Sequence, residues 1–392
     1  HESCQNSSTY CIYPLYGNNH SLFGVYANNA YQVADVTYDN NGNILTLKRN
    51  AYGTNGMDDF VYSYKPNTNQ LLHLADNPAF TSNWTTDLDN SAFTFDDQDN
   101  ATWDYEYDEL GQLIKNKKDN HYFEYNSGGL VTHIYNDAAK TDLLTTYHYD
   151  DKGYRYKKII YDNTTPVVAT FYVRDMAGNV QSIYEQDLVA EITTQEYELY
   201  GNGRIGTYYK DIDYTYELID HLGNIRATIN RNKVANEAVV ETYADYYPFG
   251  EQLPNRFGTN TLTNRYAYQG QFAEDDKETG YKQFEARLWD GRTGRWMSTD
   301  PAGQYHTPYL GMGNNPVSFM DPDGEFAGPI WDFIKSIPSG IKNILEGNPW
   351  GCVHCPTRTP ELFRVANSAW IRGAFVHTAM NRTTNLNVLF GN

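Results

Sequence analysis

The sequence predicts an all-β protein in which successive β-hairpins build one strip-like or spiralling sheet. Three observations carry that prediction. The 392 residues include 35 tyrosines and 30 glycines; aromatic residues favour strands, while Gly, Asn and Asp favour the turns between them. Apolar runs with helical spacing are nearly absent before residue 326. A motif of aromatic-x-aromatic, an Asp-x-x-Gly turn and an alternating strand recurs along the chain.

The elements follow in chain order. Residues 1–30 form an N-terminal segment without the motif, and they carry Cys4 and Cys11. Residues 31–240 hold the repeats. Clear copies start at Tyr38 (Tyr-Asp-Asn-Asn-Gly), Tyr105 (Tyr-Glu-Tyr-Asp-Glu-Leu-Gly), Tyr147 (Tyr-His-Tyr-Asp-Asp-Lys-Gly) and Tyr216 (Tyr-Glu-Leu-Ile-Asp-His-Leu-Gly). Looser copies start at Tyr62, Tyr122, Tyr172 and Tyr197. The turn glycines Gly111, Gly129, Gly153, Gly178, Gly203 and Gly223 are 18, 24, 25, 25 and 20 positions apart, room for two strands and their turns. In each turn the Asp side chain can cap the backbone and Gly can supply a positive φ. Tyrosines at alternate positions are expected to stack in ladders across the sheet, a structural role.

Charge narrows the partners. The net charge of −19 argues against nucleic acid for the main body, because phosphate binding needs a basic face. No run approaches 18 consecutive apolar residues, so no membrane-spanning helix is predicted. His1 follows no signal peptide, which suggests a processed product or a piece of a longer polypeptide. The close pairs Cys4 with Cys11 and Cys352 with Cys355 suit disulfides in an exported protein. Cys352-Val-His-Cys355 could also be half a zinc site, but no second ligand pair stands at suitable spacing, so neither metal nor cofactor is expected.

Residues 241–325 contain two Asp-Pro-x-Gly elements, Asp300-Pro-Ala-Gly303 and Asp321-Pro-Asp-Gly324, 21 positions apart. Paired aspartates beside prolines can share a proton and do acid–base chemistry, or can make two tight turns. The residues alone leave both readings open.

The motifs in this stretch resemble those of the YD or RHS repeat family and its C-terminal RHS repeat-associated core domain. The resemblance rests on Tyr247-Pro-Phe-Gly-Glu251, Tyr268-Gln-Gly-Gln-Phe, Glu278-Thr-Gly280 and Ala286-Arg-Leu-Trp-Asp290. It continues through Thr293-Gly-Arg-Trp-Met-Ser298 with Asp300-Pro301, then Asn314-Asn-Pro-Val317 and Asp321-Pro-Asp-Gly324, in the family's order. With the repeats it covers residues 31–326, and its wording looks most like versions from Bacteroidetes-type bacteria. It implies a β-shell of hairpins with the core domain as a plug. It also implies an aspartyl autoprotease that cuts just beyond the second Asp-Pro-x-Gly, with Asp300 and Asp321 as the catalytic pair and Arg287 or Arg295 as charge partners. Where the family carries an aliphatic residue after that element, this chain has Glu325, which favours the turn reading.

Residues 326–392 form a variable tail with short stretches of helical apolar spacing, broken at Pro338 and Gly340. Six Lys/Arg against three Asp/Glu give it +3, leaving −22 on the rest, the balance expected of a retained cargo or of an ordinary tail. A strip of 16–20 strands closed into one turn would be only about 25–30 Å across. A compact domain of the tail's size is about 28 Å wide, so the chain is expected to form a partial shell, an open strip or part of an assembly. The leading functional expectation is a secreted or cell-surface bacterial scaffold that encapsulates, presents or assembles a protein partner or C-terminal cargo. The rivals are a self-processing toxin-delivery precursor and an adhesin whose tyrosine-rich face binds a surface glycan or protein.

Overall fold

A computed structural model describes residues 30–329 apart from 52–55, 78–87, 89–95, 97, 100–101, 188–192, 202, 211, 235–236, 261–263 and 271–272, together with the short paired strands Ile12–Pro14 and Phe23–Val25. The repeats build two antiparallel sheets in which every strand pairs with its neighbour in sequence. The first has four strands, Val33–Tyr38, Ile44–Asn50, Gly56–Tyr64 and Leu71–Ala75. The second has fourteen, from Tyr105–Tyr107 to Gln252–Thr259. Asp104 joins them: its N–H donates to Leu72 O at 2.8 Å, and its carboxylate accepts the Leu74 N–H at 3.2 Å.

The turns behave as their chemistry predicts. Asp108 Oδ1 accepts the N–H groups of Leu110 and Gln112 at 2.9 and 2.8 Å, and Asp150 and Asp175 repeat the pattern. Gly178, at φ +95°, shows why no side chain is tolerated there: an added Cβ would lie 2.5 Å from the Tyr154 ring of the preceding turn. Alternation then sorts the side chains by face. Tyr197, Tyr208 and Tyr214 lie in register on the outer face with ring centroids 6.1 and 4.9 Å apart, a cross-strand ladder. Tyr147, Tyr172, Ile134 and Ile183 are buried on the inner face.

The strip curls until its ends meet. Tyr247 donates to Asn50 O at 2.6 Å, Tyr31 donates to Pro254 O at 2.8 Å, and Tyr247 packs with Ala51 and Met57. An open strip is therefore not what forms. The closure uses side chains, because the outer edge strands carry positive-φ residues (Asp35, Asn255) and Pro254, which disturb a flat pairing edge.

Inside the curl runs the segment from Asn264 to Pro329. Its short strands Glu274–Asp275, Lys282–Gln283, Leu288–Asp290 and Arg295–Trp296 form a four-stranded sheet, and Phe319–Met320 pairs with Gly328–Pro329. Its Phe284, Trp289, Trp296, Met297 and Met312 share one core with Ile44, Leu47, Phe60, Phe123 and Ile134 of the strip. Each buried Phe, Ile, Leu or Met of that core contributes about 1.5–3 kcal/mol of hydrophobic stabilisation. The plug and strip thus fold around each other. The expected division at residue 240 falls inside the last hairpin, Glu237–Tyr246 with Gln252–Thr259, so the Tyr247–Glu251 motif is the turn that closes the strip. No helix among the described residues is long and apolar enough to cross a membrane.

Candidate functional site

The inward residues of successive hairpins grip the plug through buried charges. Arg155 and the Tyr172 hydroxyl both bond Glu274, the latter at 3.0 Å. Two residues along the plug, Asp276 pairs with Lys158 at 2.8 Å and accepts from Tyr147, and Lys158 also pairs with Glu278. Burial opposes the charge on Glu274, but Arg155 and Arg265 outweigh it and hold its pKa below the ordinary value. From the plug side, Arg265 reaches Glu196 at 2.6 Å, and Tyr266 donates to Glu198 at 3.1 Å while lying under the Arg204 guanidinium. Burial pushes the Glu198 carboxyl up to about 7 despite Arg204. Further along, Arg292 makes a two-pronged pair with Asp119 at 2.8 and 2.6 Å, and Tyr281 donates to the same carboxylate at 2.8 Å. Removing one partner of such buried pairs is strongly destabilising, because the other charge is left without compensation.

Arg295 belongs to this anchorage and not to the aspartate pair. Its guanidinium donates to Asn69 O at 2.7 Å, Tyr64 Oη at 3.1 Å and Asn43 Oδ1 at 3.4 Å, between the Tyr64 and Tyr309 rings. It ties the plug to the first two hairpins.

Arg287 is the residue that joins the two Asp-Pro-x-Gly turns. Its guanidinium packs on the Trp296 ring at 4.3 Å, and Nη2 lies 3.5 Å from Asp300 Oδ1 and 3.6 Å from Asp321 Oδ2. Its Nε donates to the carbonyl of Gly324. Burial draws the Arg287 pKa below the usual arginine value, against the pull of the surrounding acids.

The two aspartates are held differently. Asp300 Oδ1 accepts the Ala302 N–H at 3.1 Å and Oδ2 the Gln304 N–H at 2.9 Å, capping the same two turn positions as the repeat aspartates but with both oxygens. Asp321 is 0% exposed. Its N–H donates to Gln269 Oε1 at 3.0 Å, and its Oδ1 accepts the Gly324 N–H at 2.8 Å. Its Oδ2 is buried and has no hydrogen-bond partner. Burial pushes this carboxyl up to about 7, with Arg287 opposing and Asp323 adding to the rise. Glu325, next along the chain, is exposed, so its charge is solvated. An Asp321 carboxyl whose neutral form burial favours and an arginine donor on the Gly324 carbonyl are groups suited to stabilising charge at that peptide bond.

Sequence reasoning singled out Asp300, Asp321 and Arg287, which the fold brings together. It missed Gln269, a buried residue at φ +43° that orients Asp321. It also missed the inward Arg155, Lys158, Arg204 and Glu196, whose signal was a charge at a core-facing position of an alternating strand. Cys4, Cys11, Cys352 and Cys355 lie outside the described residues, as does the tail from residue 330. Among the described residues no group of three His, Cys, Asp or Glu side chains is placed to hold a metal.

A sheet of sequential Tyr-Asp hairpins wrapped around its own C-terminal segment is a family architecture, and the family model described as Teneurin YD-shell matches residues 6–310. The chain belongs to that family. The chain is similar to salivary gland surface protein 1 of Aedes aegypti, 34% identical over 189 residues, 46% of this chain and 5% of that protein. Toxin subunit YenC1 of Yersinia entomophaga is 23% identical over 321 residues, 76% of this chain and 30% of that protein. The tRNA3(Ser)-specific nuclease WapA of Bacillus spizizenii is 28% identical over 192 residues, 47% of this chain and 8% of that protein. This YD-shell chain therefore spans less than a third of the length of these relatives. In the crystal structure of TcdB2-TccC3-Cdc42 a similar fold is found with a TM-score of 0.54 and 18% identity, over 74% of this chain and 13% of that one.

Proposed function

We propose that this YD-shell chain is an extracellular scaffold that closes on its own plug and presents the segment following it to a protein partner. The observation that carries this reading is the filled interior. Hydrophobic side chains of plug and strip share one core, and the inward charges of hairpin after hairpin end on plug residues. A pocket of about 550 Å³ opens between the 174–180 and 200–204 turns and the plug, room for a small molecule and not for a folded domain. Enclosure of a large cargo would thus require more shell than this chain supplies. The names of two relatives, a surface protein and a toxin subunit, support an exported role. Limited proteolysis of the full chain tests the proposal. The strip and plug are expected to survive as one resistant body while residues beyond 329 are cut; equal protection of the tail would point to enclosure instead.

A second reading, self-processing, is favoured by the buried Oδ2 of Asp321, which accepts no hydrogen bond and faces the Arg287 guanidinium at 3.6 Å. In this reading the Gly324–Glu325 bond is hydrolysed. Water adds to the Gly324 carbonyl carbon, Arg287 stabilises the oxyanion, and the C–N bond breaks as the protonated Asp321 carboxyl gives its proton to the leaving nitrogen; the proton shed by the added water then restores the Asp321 carboxyl. Asp300 sets the turn and helps to fix Arg287. Denaturing gels of wild type and Asp321→Asn test it: a product ending at Gly324 is expected only from wild type.

A further inference from the structure

The loop that carries Gly324–Glu325 is pinned on both sides of that bond, and downstream the Gln304 side chain holds it just ahead of a two-residue strand pair. Gln304 directly follows the first Asp-Pro-x-Gly turn, and its N–H is held by Asp300 Oδ2 at 2.9 Å. Its carboxamide meets Ala327 twice: Nε2 donates to Ala327 O at 2.6 Å, and Oε1 accepts the Ala327 N–H at 2.9 Å. A carboxamide offers the donor and acceptor of a peptide group, so this contact imitates one rung of an antiparallel ladder. The true ladder begins one residue later, where Gly328 pairs with Met320. Upstream, Arg287 holds the Gly324 carbonyl and Asp321 holds its N–H. Between the pins, Glu325 and Phe326 are exposed, Phe326 by 58%, and their N–H groups rest on Asp323 Oδ1 at 2.9 and 3.2 Å.

We propose that Gln304 is the positioning residue for the Gly324–Glu325 bond and the clamp that keeps the downstream chain attached to the plug once that bond is cut. The positioning half rests on the self-processing reading; the clamp half does not. A bond carried on a loop reacts only while its carbonyl stays against the groups that act on it, and displacement by about 1 Å can cost on the order of 100-fold in rate. Gln304 fixes Ala327, three residues beyond Gly324, and so limits the swing of the loop. It also couples the two turns: the carboxylate of Asp300 positions Gln304, which positions the chain leaving Asp321. After cleavage the new amino terminus at Glu325 lies two residues from the clamp, so the severed segment stays docked through Gln304 and the strand pair.

The test uses the full chain as wild type, Gln304→Ala and Gln304→Glu. Glutamate keeps an acceptor for the Ala327 N–H but, when ionised, turns an oxygen toward the Ala327 carbonyl. Thermal melts of all three identify any variant that fails to fold, and the other variant then carries the comparison. Each protein is followed on a denaturing gel for the product ending at Gly324, then by size exclusion for the downstream fragment. Both variants are expected to slow cleavage by about tenfold or more and to release the fragment, which stays with the body in wild type. If wild type remains one chain, the self-processing reading fails by itself. A Glu-specific endoprotease then cuts after the exposed Glu325, and retention in wild type with release from the variants still supports the clamp. Folded variants that cleave at the wild-type rate and keep the fragment would overturn the role of Gln304.

Discussion

Asp300 and Asp321 occupy the same place in the same four-residue pattern, and the same guanidinium faces both, yet their environments assign them different work. Asp300 spends its two oxygens on the N–H groups of Ala302 and Gln304. The repeat turns at Asp108, Asp150 and Asp175 cap the same two positions, two and four residues on, with one oxygen. Asp321 gives one oxygen to Gly324 and leaves the other buried without a hydrogen bond. A carboxylate saturated by donors is a structural part; a buried one that lacks them is held near its neutral form and is available to exchange a proton. The local pattern cannot tell the two apart, because the difference comes from what packs above each turn.

The strongest way to probe this contrast is to remove the residue both turns share. Arg287→Ala leaves two buried acids without their cation and removes the stacking on Trp296, so a loss of about 3–5 kcal/mol is expected by chemical denaturation. A change below about 1 kcal/mol would show that the two turns do not depend on that cation. The turns themselves should then respond unequally. Asp300→Ala strips the acceptor from two N–H groups and is expected to cost about 2 kcal/mol. Asp321→Asn puts a neutral amide in place of a carboxyl whose neutral form burial already favours, and is expected to cost much less at neutral pH. Finding the reverse order would exchange the two roles.

Much of this arrangement was readable in the sequence. The Asp-x-x-Gly spacing gave the hairpins, their order and the turn caps, because those are decided within a few residues. The grouping of Asp300, Asp321 and Arg287 came from the motif order. What the chain did not announce was the partnering across long separations. Arg295 stands in a motif beside Trp296, yet it goes to Tyr64 and Asn69 because the curl of the strip brings the first hairpins to that side of the plug. The same curl gives Lys158 and Arg155 buried acids more than a hundred positions away. Nor could spacing show that the ends of the strip meet, since closure depends on the twist accumulated over all its strands.

A smaller difference is expected between the two turn glycines. Gly303, at φ +62°, has open space where a Cβ would go, whereas at Gly324, at φ +79°, a Cβ would meet the Phe284 side chain at 3.0 Å. Gly303→Ala should therefore cost only the left-handed backbone penalty, about 1–2 kcal/mol. Gly324→Ala should cost more, and equal melting curves would contradict the packing described above that turn.

The finest probe is pH. The Asp321 carboxyl titrates near its ordinary 3.8 when unfolded and at about 7 when folded. The folded chain therefore binds the extra proton between those values, and this group's contribution to stability is fully present below about pH 4 and lost as pH rises through about 7. The stability of wild type minus that of Asp321→Asn should fall across that window and level off above it. A difference that is flat with pH would mean that Asp321 is not held neutral by burial.

The contrast between the turns is tested most directly by intact-mass spectrometry of the full chain after incubation near neutral pH, comparing wild type, Asp300→Asn and Asp321→Asn. Wild type is expected to yield a species ending at Gly324, Asp300→Asn to yield it more slowly, and Asp321→Asn to stay whole. Asp321→Asn cut as fast as wild type, or a wild type that remains one unbroken chain, would contradict the chemical role given to Asp321.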